Sequence, residues 1–228
     1  MNGPAVRVMA FGDSAVLVVV GDRLDPAVTQ RVHRVSAALG DAFGTAPGYS
    51  QPVPGAASVL VGVDPVDPGV NAAIKRIEPI VAGVEVGGQL DWEAPTASRV
   101  PIELPTRYGG PDGPDLEAVA ARNGLTPAEV IAAHASVEYE VQFLGFAPGF
   151  AYLGELPATI AAPRHTTPRT RVPAGSVGIA GRQTAVYPFD SPGGWQIVGR
   201  TDARLWDIDR EPPALLVPGA TVRFVPID

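Results

Sequence analysis

The sequence predicts an α+β N-terminal domain followed by a C-terminal domain of compact barrel or sandwich type. Three observations lead there. The first part alternates β-branched runs with two helix-like periods, and the chain then changes character over "DWEAPTASRVPIELPTRYGGPDGPD" (91–115). From Tyr139 onward, short β-type runs are separated by Gly-Pro turns. The boundary is placed near Thr96, dividing the chain into 1–96 and 97–228.

Each element follows from a local signal. "VRVMAF" (6–11) and "AVLVVV" (15–20) are joined by "GDS" as a hairpin. In "DPAVTQRVHRVSAALG" Asp25 is the cap, Pro26 occupies the first turn, and Val28, Val32, Val35 and Leu39 share one face. Gly40 suits its end. "SVLVGV" (58–63) reads as a buried strand. A second helix starts at "DPG", with Val70, Ile74 and Ile77 on one face, and Pro79 is expected to end or kink it. "VEVGGQL" (84–90) reads as a further strand, so the order suggests a small sheet with helices on one face.

Beyond the boundary, "DLEAVAARNG" runs to a Gly124 stop. "TPAEVIAAH" carries a Thr126 cap with Glu129 three residues later, a capping box. The β-type runs are "YEVQFLGF", "GSVGIAG", "QTAVYPF", "GWQIVGRT", "ALLVP" and "ATVRFVPI".

Composition narrows the function classes. Hydrophobic residues make up 46% of the 228, and the formal net charge is −7. That balance argues against nucleic acid or an anionic membrane as the main partner. The absence of cysteine excludes disulfides, thiolate metal sites and a Cys nucleophile. The N-terminus lacks the layout of a signal peptide, and its apolar runs are too short to span a bilayer, so a cytoplasmic location is expected. Lys75 is the only lysine and the other sixteen basic residues are arginines, so arginine count alone carries little and position must decide.

No P-loop, dinucleotide fingerprint, H-E-x-x-H or G-x-S-x-G pattern occurs. The three histidines are scattered, so no metal site is expected. His33 reads as a surface or boundary residue. His134 ends a helix just before "FLGFAPGF", where either the helix dipole or a role as proton carrier or substrate hydrogen-bond partner accounts for it. "GFAPGFAYL" (145–153) is either a turn whose Phe146, Phe150 and Tyr152 pack the core, or a pocket wall shaped by Pro148 and Gly149. Arg164, Arg169 and Arg171 are hemmed by Pro163, Pro168 and Pro173. Each alone could be a solvated surface cation; together with Gln183, Tyr187 and "SPGGW" (Ser191, Pro192, Gly193, Gly194, Trp195) they read as a site for a carboxylate, phosphate or amide.

"FLGFAPGFAYLGELP", "APRHTTPRTRVPAGSVGIAGRQTAVYPFDSPGGWQIVGRT" and, upstream, "YGGPDGPDLEAVAARNGLTPAEVIAAH" closely resemble the KipI/PxpB family. That family is also known as the 5-oxoprolinase B subunits, allophanate hydrolase subunit 1 or carboxyltransferase-domain subunit 1. The resemblance covers 107–228 best. It implies a cyclophilin-like C-terminal β-barrel and a smaller α+β domain. It also implies a KipA/PxpC-like partner, a PxpA-like partner, and ATP-dependent opening of 5-oxoproline to glutamate. ATP, with Mg2+, would be cosubstrate, and no covalently bound cofactor is expected. Two alternatives come with the same resemblance: a KipI-type inhibitor of a histidine kinase, and a carboxyltransferase subunit of a biotin-dependent urea-type carboxylase.

5-Oxoproline offers a carboxylate for an arginine and a lactam for Gln183 or backbone donors. On this reading Arg169 or Arg171 holds carboxylate or phosphate, and His134 carries a proton. "GFAPGF" and "SPGGW" shape the pocket, with Phe146, Phe150, Arg164, Tyr187 and Trp195 lining it.

Overall fold

A computed structural model describes residues 6–86 and 100–228, which fall into two compact units, one on each side of the undescribed stretch. The expected boundary at Thr96 lies outside the described residues.

In the first unit β1 (Arg7–Ala10), β2 (Ala15–Val19), β3 (Val53–Pro54) and β4 (Ser58–Gly62) form an antiparallel sheet in the order β1-β2-β4-β3. Alternation puts Val16, Val18, Val59 and Val61 into the core, against Val32, Val35 and Leu39 of α1 (Pro26–Phe43) and Ile77 of α2 (Val70–Val86). Asp25 caps α1, its carboxylate accepting from Val28 N at 3.0 Å.

Four expectations are revised here. The helix runs past Gly40 to Phe43, whose buried ring stacks on Tyr49 at 4.4 Å. That burial outweighs the cost of about 1 kcal/mol for a mid-helix glycine. The chain also stays helical through Pro79, because Ile77 and Val81 on either side are both buried. Consequently the expected strand at 84–90 begins inside α2, and its remainder lies outside the described residues. His33, expected at the surface or at its boundary with the core, is buried at 2% exposure on α1.

The second unit is a closed barrel in the order β10-β7-β6-β13-β5-β12-β9. Its strands are β5 (Ile102–Tyr108), β6 (Tyr139–Leu144), β7 (Ala151–Gly154), β9 (Ser176–Ala180), β10 (Gln183–Val186), β12 (Gln196–Arg200) and β13 (Thr221–Ile227). β8 (Arg169–Val172) and β11 (Ser191–Gly193) form a separate ribbon. Helices α3 (Leu116–Asn123) and α4 (Pro127–Ala135) pack on β12 and β13, α4 opening with the expected capping box at Thr126 and Glu129. The barrel expectation holds over the sandwich.

β5 has no counterpart among the expected strands, because Pro105 in a β run argues against one. It fits here because β12 pairs only with Arg107 and Tyr108, leaving Pro105 opposite the parallel strand β13 alone. "ALLVP" is not a strand; it contributes one bridge, Trp206 to Ala214. Among the described residues, no helix is long and apolar enough to cross a membrane.

Candidate functional site

The loop from β6 to β7 builds one wall of the site. Gly145 O accepts from Ala147 N at 2.8 Å, closing a three-residue γ-turn around Phe146. Phe146 there has φ 67°, a left-handed conformation rarely adopted by a bulky residue. Its ring is 60% exposed and meets Phe150 and Tyr187 edge-on at 5.3 and 6.3 Å. Backbone strain held at an exposed aromatic is a mark of a functional position.

Behind it, Phe150, Tyr187 and Trp195 are buried, and Phe150 meets Tyr152, Tyr187 and Trp195 edge-on at 5.0, 5.2 and 5.8 Å. These rings surround a cavity of about 90 Å³ completed by Arg164, Pro192, Gly193 and Gly194. The ribbon supplies the opposite edge: Gly193 pairs with Arg169 in register and sits so close to Tyr187 that a Cβ there would lie 2.3 Å from the phenol oxygen.

Arg164 supplies the charge. Its guanidinium lies 5.7 Å from the centroid of the Trp195 ring, a cation–π contact, and among the described residues it has no carboxylate partner. No acid lines the cavity. Two phenols face it. Burial pushes both Tyr152 and Tyr187 above the usual tyrosine range; the Arg164 charge and, for Tyr187, the Trp195 backbone N–H pull the other way without prevailing. Both therefore stay protonated at neutral pH. Tyr152 has no hydrogen bond among the described residues and is a free donor beside the guanidinium. The arrangement suits a small anion with a flat or apolar face, and neither phenol titrates near neutrality.

The structure thus brings together Phe146, Phe150, Arg164, Tyr187, Pro192, Gly193, Gly194 and Trp195 from the predicted set. Pro148, Gly149 and Ser191 do not line the cavity. Gly149 is instead required by a close approach, its φ being 76° and a Cβ there falling 3.1 Å from Leu205 O. Ser191 Oγ donates to Phe189 O at 3.3 Å.

The four residues expected to act in chemistry lie elsewhere. Arg169 is held by Asp115 at 2.6 Å, and Arg171 by Asp190 at 2.6 and 2.9 Å. Gln183 Nε2 donates to Gln142 Oε1 at 3.1 Å. His134 is completely buried, with Nδ1 2.7 Å from Tyr108 oxygen, Nε2 2.9 Å from Thr184 Oγ1, and its ring 4.5 Å from Phe224. Burial lowers its pKa to about 3, so the ring is neutral at neutral pH and walled off from solvent. Its assignment as a proton carrier is corrected to a structural one on that ground.

Two residues escape a reading of the sequence. Tyr152 lies there in a segment that reads either as core or as pocket wall, and an aromatic between Ala151 and Leu153 gives no sign of a free hydroxyl. Asp115 reads only as the start of a helix, yet its carboxylate accepts from Ile197 N at 2.6 Å and binds Arg169 and His165. The carboxyl group titrates below its usual range: burial alone would raise it, but Arg169, the Ile197 N–H and His165 together prevail.

Known proteins share this architecture and sequence. Residues 6–216 match the family model "Carboxyltransferase domain, subdomain C and D". The chain is 42% identical over 220 residues to the 5-oxoprolinase B subunit of Escherichia coli O157:H7, covering 96% of this chain and 95% of that one. It is 39% identical over 227 residues to the 5-oxoprolinase B subunit of Bacillus subtilis strain 168, with 97% and 92% covered. The crystal structure of TTHA0988 superposes with a TM-score of 0.77 at 32% identity; it matches 98% of this chain, which spans 40% of that longer polypeptide.

Proposed function

The chain belongs to the family of carboxyltransferase-domain subdomains C and D, and from that premise we propose that it is the B subunit of a 5-oxoprolinase. The observation that carries this reading is the agreement with two proteins of that name along nearly their whole length. In this reading the barrel is cyclophilin-like and each unit is a domain. The chain works in the cytoplasm with a KipA/PxpC-like and a PxpA-like subunit, using ATP with Mg2+ to open 5-oxoproline to glutamate.

Its own contribution is to bind and orient. The substrate carboxylate pairs with Arg164, Tyr152 donates a second hydrogen bond, and the ring lies against Phe150 and Trp195. Opening the lactam adds water across its C–N bond, oxygen to carbon and proton to nitrogen. Neither lining phenol exchanges its proton near neutrality, so that transfer falls to a partner subunit. This accounts for a subunit that is inactive alone.

The test is ATP hydrolysis by the chain co-expressed with both partners, with and without 5-oxoproline. Substrate-dependent release of ADP and glutamate is expected. Arg164→Ala is expected to raise KM roughly 10- to 100-fold, the contribution of one charge-assisted hydrogen bond. No stimulation in an assembled complex overturns the subunit reading and moves it to kinase inhibition or carboxyl transfer. An unchanged KM in Arg164→Ala overturns the cavity assignment alone.

A further inference from the structure

A second pocket of about 230 Å³ lies on the barrel, and no residue lines both it and the Arg164 cavity. Arg169 and Arg171, two apart on β8, share a face of the ribbon and both line it. Arg200 on β12 and Ser176 on β9 are cross-strand partners and line it too.

Four carboxylates stand near these arginines, and each is already engaged. Asp112 and Asp202 are held by Arg107, Asp115 by Arg169, and Asp190 by Arg171 and Ala174 N. These pairs fix the guanidiniums and relieve their mutual repulsion. Arg200 is different. Its charge is felt by Asp190 and Asp202, yet among the described residues it makes no hydrogen bond or ion pair, and its Nε is buried without an acceptor. Ser176, 3% exposed, likewise has a hydroxyl with no partner among the described residues. Arg171 uses Nε and Nη2 on Asp190 and keeps Nη1. A buried donor without an acceptor, as at Arg200 Nε, is uncommon, and it stands here beside two further donors with no acceptor of their own.

We propose that this pocket binds the phosphate group of a small molecule, with Arg200 as principal donor, the Ser176 hydroxyl beside it, and Arg171 at its edge. A phosphate directs its oxygens tetrahedrally toward donors on three strands, whereas the two oxygens of a carboxylate accept within one plane. Its double charge also competes better with the surrounding acids. The proposal stands independently of the 5-oxoproline reading, because its readout is binding by this chain and not turnover.

The test titrates the full chain with inorganic phosphate by calorimetry at constant ionic strength, with chloride as control. Saturable one-site binding is expected, about tenfold weaker in Arg200→Gln and unchanged in Arg164→Ala. Absence of saturable binding, or equal affinity in a folded Arg200→Gln, overturns the proposal. If Arg200→Gln does not fold, Ser176→Ala decides: weaker phosphate binding supports the site and unchanged binding overturns it. Titration with ADP and ATP separates the sources. Affinity well above that of inorganic phosphate places the group on a nucleotide, and equal affinity makes free phosphate the ligand.

Discussion

His134 and Arg164 show how far a residue's role depends on what surrounds it. His134 ends a helix ahead of a Gly- and Pro-rich segment and Arg164 lies within one, contexts that invite a functional reading, but one is sealed in the barrel core and the other stands over an indole face. A neutral buried histidine has a measurable consequence. Its folded pKa of about 3 lies below its ordinary 6.5, so between those values the unfolded chain takes up a proton that the native chain refuses. Stability contributed by keeping the ring neutral is full above the unfolded pKa. It is lost as pH falls below 6.5, at up to about 1.4 kcal/mol per pH unit. Urea midpoints measured from pH 7 to pH 4.5 are expected to fall accordingly, and His134→Gln is expected to flatten that slope. An equally steep slope in the variant would assign it to other groups. Sequence could not settle this, because the helix end at Ala135 is visible along the chain while the aromatic rings closing over His134 come from β5, β6 and β13.

The β8–β11 ribbon is the element that decides the shape of the cavity. Its glycines are legible as turn formers in "SPGGW", but their reason is contact: Gly193 packs against the Tyr187 phenol with no room for a methyl group. Tyr187 is itself wedged against Phe150, so it cannot yield easily. Gly193→Ala is therefore expected to displace the ring, destabilise by about 1–3 kcal/mol and weaken 5-oxoproline binding, read as KM in the assembled enzyme. Unchanged KM and unchanged thermal midpoint would show that the ribbon gives way instead. Helix starts at Asp25 and Thr126 were legible because caps are local. The span of α2 through Pro79 and the strand around Pro105 were not. In both, tertiary partners outweigh a local breaker.

Across the whole molecule, Asp115 joins elements far apart in sequence. From the start of α3 it binds Arg169 on β8, His165 in the preceding loop and the backbone of Ile197 on β12, committing to tertiary contacts a side chain that could have capped its own helix. Asp115→Ala leaves a buried N–H and a guanidinium without their acceptor, at an expected cost of about 3 kcal/mol. A thermal midpoint roughly 10 °C lower is the corresponding observable. Because the carboxyl titrates below its ordinary 3.8, its stabilising contribution is present above that value and lost as pH falls through the lower folded pKa, so acid should erase the difference between variant and parent. A variant as stable as the parent would make the cluster incidental.

Residue order alone was enough for the β-rich C-terminal half, the helix caps, the family and eight of the cavity-lining residues, since periodicity, capping and the long Gly/Pro/aromatic motif are all written in neighbouring residues. The folded chain was needed to show that Arg164, and not Arg169 or Arg171, is the cation without a carboxylate at the aromatic cavity, and that His134 is sealed. Ion pairing and burial depend on partners brought from elsewhere in the chain, and such partners leave no mark on the local pattern.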